Sequence, residues 1–215
     1  MLEILRFGVI LAVFVSFISL CYMIFRTYFF HKKSLHAIPG GNSLKGIIYA
    51  FSLGMAPWEK ESAALHLPTY LAGIVYHTGI FAAFFYLLSL LFPFSINPVL
   101  ILVLRILISA GALFGLGLLF KRSIKRELRK ISCPDDFASN MLVDLFLALS
   151  LADSFTQGLR PYFFAAALLM LLYIPLGKIR HCFFFFYSRI LFGIFYGRRG
   201  VLPPKEGRSG ARYGR

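Results

Sequence analysis

The segment LPTYLAGIVYHTGIFAAFFYLLSLLF, from Leu67 to Phe92, decides the fold because it is long, apolar and free of charged side chains. At about 1.5 Å per residue, a helix of this length exceeds the roughly 30 Å hydrocarbon core of a bilayer. His77 lies about ten residues into it, or roughly 15 Å deep. The segment therefore predicts a membrane-spanning helix with an imidazole far from water, where hydrocarbon tolerates it only with a partner or a function.

Four further apolar stretches have lengths suited to the same environment. They cover roughly Leu5–Phe30, Pro98–Phe120, Asn140–Phe155 and a stretch that begins near Arg160, runs through the aromatic block Phe183–Tyr187 and extends toward Tyr196. Hydrophobic residues make up 59% of the chain, more than the roughly half that is usual in a soluble domain. We therefore predict an all-α membrane bundle of five transmembrane helices, residues 1–196, followed by a basic flexible tail, residues 197–215.

The basic residues predict the orientation of this bundle. The net charge is +14, and Lys and Arg concentrate after the first, third and fifth apolar stretches, whereas the loop Pro93–Asn97 carries no charge. Positively charged loops favour the cytoplasm, which predicts an outside N-terminus and a cytoplasmic C-terminus in a multi-pass protein of the inner membrane. Because the basic residues lie between and after the apolar stretches, they are more typical of the loops of a membrane protein than of a nucleic-acid-binding surface. The segment Gly46–Met55 is too short to span and is expected at the interface, with Trp58 as its anchor.

Several chemistries are excluded by motif. Cys21, Cys133 and Cys182 show no C-x-x-C spacing, which excludes covalent attachment of a c-type haem. No nucleophile elbow, zinc-protease signature, P-loop or dinucleotide fingerprint occurs. An autonomous soluble enzyme is therefore not expected, and any catalysis would need other subunits.

Two histidines suggest a cofactor. His181 lies in the inner half of the fifth predicted helix if that helix continues through Phe186, which places it at the depth of His77. Two imidazoles on opposite faces of the iron are the axial ligands of a low-spin haem, which predicts one non-covalent haem b. The alternative is that each histidine only hydrogen-bonds a neighbouring helix.

Residues beside the two histidines fit the same interpretation. Gly73 and Gly79, on the helix of His77, would leave room for a flat macrocycle. Lys178 and Arg180 are expected at the inner interface, where they could meet the haem propionates.

Other polar residues in the apolar stretches allow two interpretations. Arg105 and Asp153 are expected at similar depth near the outer face, either as a structural ion pair or snorkelling side chains, or as a proton path or quinone contact. His66 is expected at the inner interface, with a position near a quinone headgroup as the alternative. Asp144, near the inner end of the fourth stretch, is expected to face the basic loop Lys121–Lys130.

Two segments carry a family resemblance. Tyr76–Phe84 resembles the second helix of the respiratory nitrate reductase gamma subunit, and Leu172–His181 resembles the end of that family's fifth helix. The wider superfamily includes the cytochrome b subunits of heterodisulfide-reductase-like and sulfite-reduction-associated membrane complexes. The resemblance implies five spans, an outside N-terminus, and electron transport in a respiratory chain from quinol to iron–sulfur partners.

The resemblance also implies a difference from two-haem members of the family. The positions that match the two ligands of their outer haem are Leu87 and Phe163, both apolar. Only the inner haem, bound by His77 and His181, is then expected to remain.

The leading hypothesis is a haem b subunit of a respiratory oxidoreductase complex, which passes electrons between the quinone pool and an iron–sulfur subunit on the cytoplasmic side. The alternatives are a haem-free membrane anchor or scaffold and, third, a small transporter in which Arg105 and Asp153 line a path.

Overall fold

A computed structural model of the chain describes residues 1–30, 38–92 and 95–204, and within these ranges it is helical without any β-strand. The α-helices in chain order are α1 Leu2–Phe30, α2 Ser43–Phe51, α3 Glu61–Leu65, α4 Leu67–Leu91, α5 Pro98–Ile124, α6 Arg126–Lys130, α7 Pro134–Phe155, α8 Arg160–Tyr173 and α9 His181–Arg198. Short 3-10 helices cover Leu53–Met55, Pro57–Glu59, Gln157–Leu159 and Lys178–Arg180. The predicted all-α class is confirmed for these residues, and most of the predicted tail, from residue 205 onward, lies outside them.

Four helices of the described chain, α1, α4, α5 and α7, are long and apolar enough to cross a membrane. A fifth crossing results if the bent pair formed by α8 with its preceding 3-10 turn and by Lys178–Arg198 is one span. The apolar windows of the sequence therefore identify helices that could span a membrane, with α5 and α7 extending beyond the predicted bounds.

The prediction that the fifth helix continues unbroken through Phe186 is wrong. Helix α8 ends at Tyr173, and α9 begins only at His181, after a turn that contains Pro175. Proline has no backbone N–H, and its ring collides with the carbonyl four residues earlier, so a helix rarely passes through it. The break places His181 at the first position of a new helix rather than inside a span that starts at Arg160.

The carbonyl of Leu171, to which Pro175 cannot donate a hydrogen bond, accepts one from another helix. In an unbroken helix the N–H of residue 175 would donate to the carbonyl of Leu171. Ser16 of α1 instead donates its hydroxyl to that carbonyl, and the Ser16 side chain is only 4% exposed. The break is thus built into the packing of α1 against α8.

Replacing Ser16 by alanine should destabilise the protein by about 1–3 kcal/mol, because a buried carbonyl loses its donor. Unfolding in detergent followed by circular dichroism measures the change. Thr27→Ala is the matched control, since Thr27 donates to its own helix at Met23 and is exposed. Equal stability of the Ser16 variant and the wild type would contradict this explanation of the break.

The first compact unit comprises Met1–Leu20 and Leu71–Arg180. Its core contains the fully buried side chains of Ile108, Phe146, Leu147 and Phe163. Arg6, near the start of α1, donates to the carbonyl of Leu91 at the end of α4 at 2.8 Å. These two helix ends therefore lie together, as expected for spans that run in opposite directions.

The second unit comprises Cys21–Tyr70 and the chain from His181 onward. Helices α2 and α9 pack backbone to backbone there: a Cβ at Gly46 would collide with the carbonyl of Gly193 and lie 2.6 Å from Gly197 Cα. Beyond α9, Gly200 adopts φ +67°, a conformation that favours glycine.

The segment of the second unit after α2 is short and exposed, and its position at the membrane interface stays a prediction. Helix α2 has nine residues, too few to span, and Trp58 is 65% exposed. Tyr49 donates to Glu59 at 3.0 Å, and burial together with this carboxylate raises the pKa of Tyr49 to about 12. The phenol therefore remains a neutral donor that ties α2 to the turn containing Trp58.

Candidate functional site

His77 has a defined hydrogen bond on one side of its ring. Its Nδ1 lies 2.7 Å from the carbonyl oxygen of Gly73, one turn earlier on α4, and its side chain is exposed. A carbonyl only accepts, so this contact favours the tautomer with the proton on Nδ1. In that tautomer Nε2 carries the lone pair that coordinates a metal, and a carbonyl partner on the other nitrogen is the usual support of a metal-binding histidine.

The two glycines near His77 have different surroundings. A Cβ at Gly73 would meet no heavy atom within 4 Å, so this face of α4 has open space. A Cβ at Gly79 would lie 2.6 Å from Gly111 Cα, so the missing side chain of Gly79 accommodates α5. Of the two, Gly73 keeps the room that the sequence interpretation required.

His181 is exposed at the start of α9 and belongs to the second unit, whereas His77 belongs to the first. An exposed imidazole at the start of a helix has the donor chemistry of an axial ligand, as does His77. Their joint coordination of one iron stays a prediction.

The two basic residues before His181 differ in their partners. Lys178 Nζ lies 2.7 Å from Asp136 Oδ1, and Arg122 of α5 lies 3.3 Å from the same oxygen. Asp136 also accepts the N–H of Cys133 at 2.9 Å, which caps the start of α7. Lys178 thus joins three elements at this end of the first unit, and Arg180 is the exposed cation next to His181.

Leu87 and Phe163, which stand where the family resemblance implies outer-haem ligands, are core residues. Leu87 is 1% exposed and Phe163 is 0% exposed. Phe163 stacks against Tyr86 with ring centroids 5.9 Å apart and contacts Phe146 at 5.5 Å. Packed apolar side chains therefore occupy these positions.

The predicted pairing of Arg105 with Asp153 is wrong. Asp153 is 1% exposed, accepts from Tyr86 at 2.9 Å and lies 3.4 Å from Arg160 Nε at the start of α8. Arg105 bonds the neighbouring residue, Ser154, at its hydroxyl at 3.1 Å and at its carbonyl. The two predicted partners lie at the same helix end, but the rotation of α7 turns Asp153 toward α4 and α8.

Replacing Arg160 by methionine should destabilise the protein, because it leaves the Asp153 carboxylate buried without its cation. Breaking a buried pair typically costs about 3–5 kcal/mol, and we expect the lower end because the Arg160 side chain is 23% exposed. Detergent-solubilised protein unfolded with SDS gives the measurement. Arg122→Met, at a more exposed pair, is the control and should cost less than about 1 kcal/mol. Equal losses in the two variants would contradict the burial argument.

A cavity of about 360 Å³ lies beside Tyr86, the residue that donates to Asp153. Its walls are formed by Tyr86, Ser89, Leu90, Ile96, Pro98 and Ile101. The lining is mainly apolar, and the hydroxyl of Tyr86 is already bonded to Asp153. His66, which was predicted near a quinone headgroup, does not line this cavity. It is exposed between α3 and α4, in the second unit.

Asp144 lies in a different environment from the one predicted. It is 6% exposed and bonds Asn140 within α7, so it does not face the basic loop. The reason is that α7 begins at Pro134, capped by Asp136, rather than near Asn140, which places Asp144 deeper in the helix. A carboxyl buried at this depth was not anticipated as a site, although the Pro-Asp-Asp sequence at the helix start is a recognisable signal.

Comparison of the chain with protein-family models, with curated proteins and with solved structures gives no match. The resemblance to the nitrate reductase gamma family therefore stays a prediction that rests on the two quoted segments.

Proposed function

We propose that this protein is a membrane haem b subunit that passes electrons between the quinone pool and an iron–sulfur partner on the cytoplasmic side. Its N-terminus lies outside, its C-terminus inside, and the α8–α9 pair completes a fifth span of the inner membrane. The observation that carries the proposal is the contact between His77 Nδ1 and the Gly73 carbonyl, which favours the tautomer with the lone pair on Nε2.

The residues of this chain hold and orient the cofactor. Haem, when bound, supplies a one-electron carrier whose potential depends on its axial ligands and surroundings. His77 and His181 would hold the iron, Gly73 would orient one imidazole, and Arg180 is available for a propionate. Lys178 would have to share its charge with Asp136.

The packing around Leu87 and Phe163 supports a single haem. Leu87 and Phe163 belong to the apolar core of the first unit, so a second macrocycle there would have to displace buried aromatic side chains. A lone carrier in the inner leaflet does not move electrons across the whole membrane. We expect turnover in proteoliposomes to generate little membrane potential, and robust potential generation would contradict the single-haem proposal.

The visible spectrum of the purified protein tests the function directly. Protein from haem-replete cells should show the Soret and alpha bands of bis-imidazole haem b, and a reduced quinone analogue should reduce them. Co-purification of an iron–sulfur protein would identify the partner. Protein that is folded, stable and free of haem would overturn the proposal and leave a haem-free anchor subunit or a transporter.

The break in the last predicted span favours a transporter as the second candidate. Broken helices near buried polar groups are common in transporters, and α8 ends at Tyr173 with Asp144 and Asp153 buried elsewhere in the first unit. The same spectrum decides between the candidates, since a transporter of this type needs no haem.

A further inference from the structure

A carboxyl group lies buried in the middle of α7 with no cation beside it among the described residues. Asp144 is 6% exposed, ten residues after the first residue of α7 at Pro134, or roughly 15 Å along the helix. Its Oδ2 accepts from Asn140 Nδ2 at 2.8 Å. Its Oδ1 is buried and has no hydrogen-bond partner in the part of the chain that the structure describes.

Three helices form the surroundings of this carboxyl. The ring of Tyr76 of α4 lies against Gly115 beside Asp144 Oδ1, and the Tyr76 hydroxyl lies 3.3 Å from Asn140 Nδ2. From α5, the backbone of Gly115 faces the group: a Cβ there would collide with Asp144 Oδ1 and with the Tyr76 ring. The groups that face Asp144 are therefore a phenol, an amide and a glycine backbone, all of them uncharged at neutral pH.

Comparison with Asp153 shows that Asp144 differs in having no cation beside it among the described residues. Both carboxyls lie on α7, are buried and have an Oδ1 without a hydrogen-bond partner among the described residues, but Asp153 has Arg160 at 3.4 Å. A buried carboxylate without a cation or a full set of donors is costly, and the cost is greater in hydrocarbon than in a soluble core. Protonation removes the charge and turns one carboxyl oxygen into a donor.

We propose that Asp144 is a proton-binding site inside the membrane bundle. Its carboxyl carries a proton at neutral pH, and the proton exchanges through the Asn140 and Tyr76 cluster. The space left by Gly115 is what allows the carboxyl and the phenol to meet there. No metal ion or other ligand is needed to explain the orphan Oδ1, since the proton itself is the ligand.

The site also bears on the proposed electron carrier. The ring of Tyr76, which contacts Asp144, lies 6.0 Å from the ring of His77. Charges interact strongly in a low dielectric, so an electron on a carrier held by His77 would favour the protonated carboxyl. By linkage the effect is reciprocal: a proton on Asp144 raises the reduction potential of that carrier. This second part rests on the proposed function, whereas the proton site itself does not.

Infrared spectroscopy tests the proton site without any cofactor. The full-length protein in detergent should show the carbonyl stretch of a buried protonated carboxyl at pH 7, and the band should disappear in Asp144→Asn. Asp135→Asn is the control and should keep the band, because Asp135 is a part-exposed carboxylate bonded to Tyr173 at the start of α7. Absence of the band in the wild type, or its persistence in Asp144→Asn, overturns the proposal.

Redox titration tests the coupling. The potential of the haem should rise as the pH falls in the wild type, and Asp144→Asn should abolish this dependence over the same pH range. A wild-type potential independent of pH, or an unchanged slope in the variant, overturns the coupling. Protein that shows the infrared band but binds no haem contradicts the proposed function and leaves the proton site supported, so the two failures are distinguishable.

Discussion

His77→Ala is expected to abolish haem b binding in the purified protein, with loss of both the Soret and the alpha bands. If His77 is an iron ligand, as proposed, its removal would leave the haem with one imidazole. His181→Ala should have the same effect, because each ligand is required for the low-spin bis-imidazole spectrum. Haem content per protein, measured as the pyridine haemochrome, gives the result quantitatively.

His66→Ala is the matched control for these variants. His66 is also exposed and lies next to α4, but it precedes the span and should leave haem content unchanged. Retention of fold is checked by circular dichroism and by elution as a single detergent complex. Normal haem content in both His77→Ala and His181→Ala would exclude haem ligation by these histidines. Loss of haem in only one variant would mean that a different residue, and not the other histidine, is the second ligand.

The spanning helices were predictable because lipid imposes a simple rule on them. A bilayer requires about 20 consecutive apolar residues per crossing, and α1, α4 and α5 satisfy this by composition alone. The beginning of α7 was placed too late because its first turn is polar. The cap formed by Asp136 starts the helix at Pro134, inside a stretch that hydropathy assigns to a loop.

The break at Pro175 could be suspected from the sequence but not decided. Membrane helices tolerate proline when another group satisfies the freed carbonyl within a continuing helix. Here Ser16 of α1 supplies the donor, a contact between residues 155 positions apart. Because the sequence is apolar up to the aromatic block Phe183–Tyr187, it predicted one continuous helix. The folded chain instead has two helices, α8 and α9.

The polar pairs depended on helix rotation, which the sequence leaves open. Arg105 and Asp153 were correctly assigned to the same helix end, yet Asp153 bonds Arg160, only seven residues away across a tight connection. Depth follows from counting residues, whereas partners follow from which face of α7 is turned inward. The same rotation buries Asp144 against Tyr76.

Gly111→Leu is expected to cause a large loss of stability. A Cβ at Gly111 would lie 2.7 Å from Gly79 Cα, and a Cβ at Gly79 would lie 2.8 Å from the carbonyl oxygen of Leu107. These atoms are backbone, so no rotamer change relieves the collision and α4 must move away from α5. Overpacking commonly costs about 1–3 kcal/mol, and a rigid backbone contact belongs at or above the upper end.

Gly117→Leu separates this packing effect from a general effect of adding a leucine to α5. It lies on the same helix, six residues further along, and a Cβ there would meet nothing within 4 Å. It should change the free energy of unfolding by less than about 0.5 kcal/mol, as is usual for surface substitutions. Because α4 carries His77, separating α4 from α5 in Gly111→Leu should also lower haem occupancy, whereas Gly117→Leu should keep it. Equal unfolding free energies for the two variants would show that the contact of Gly79 with Gly111 does not hold the bundle together.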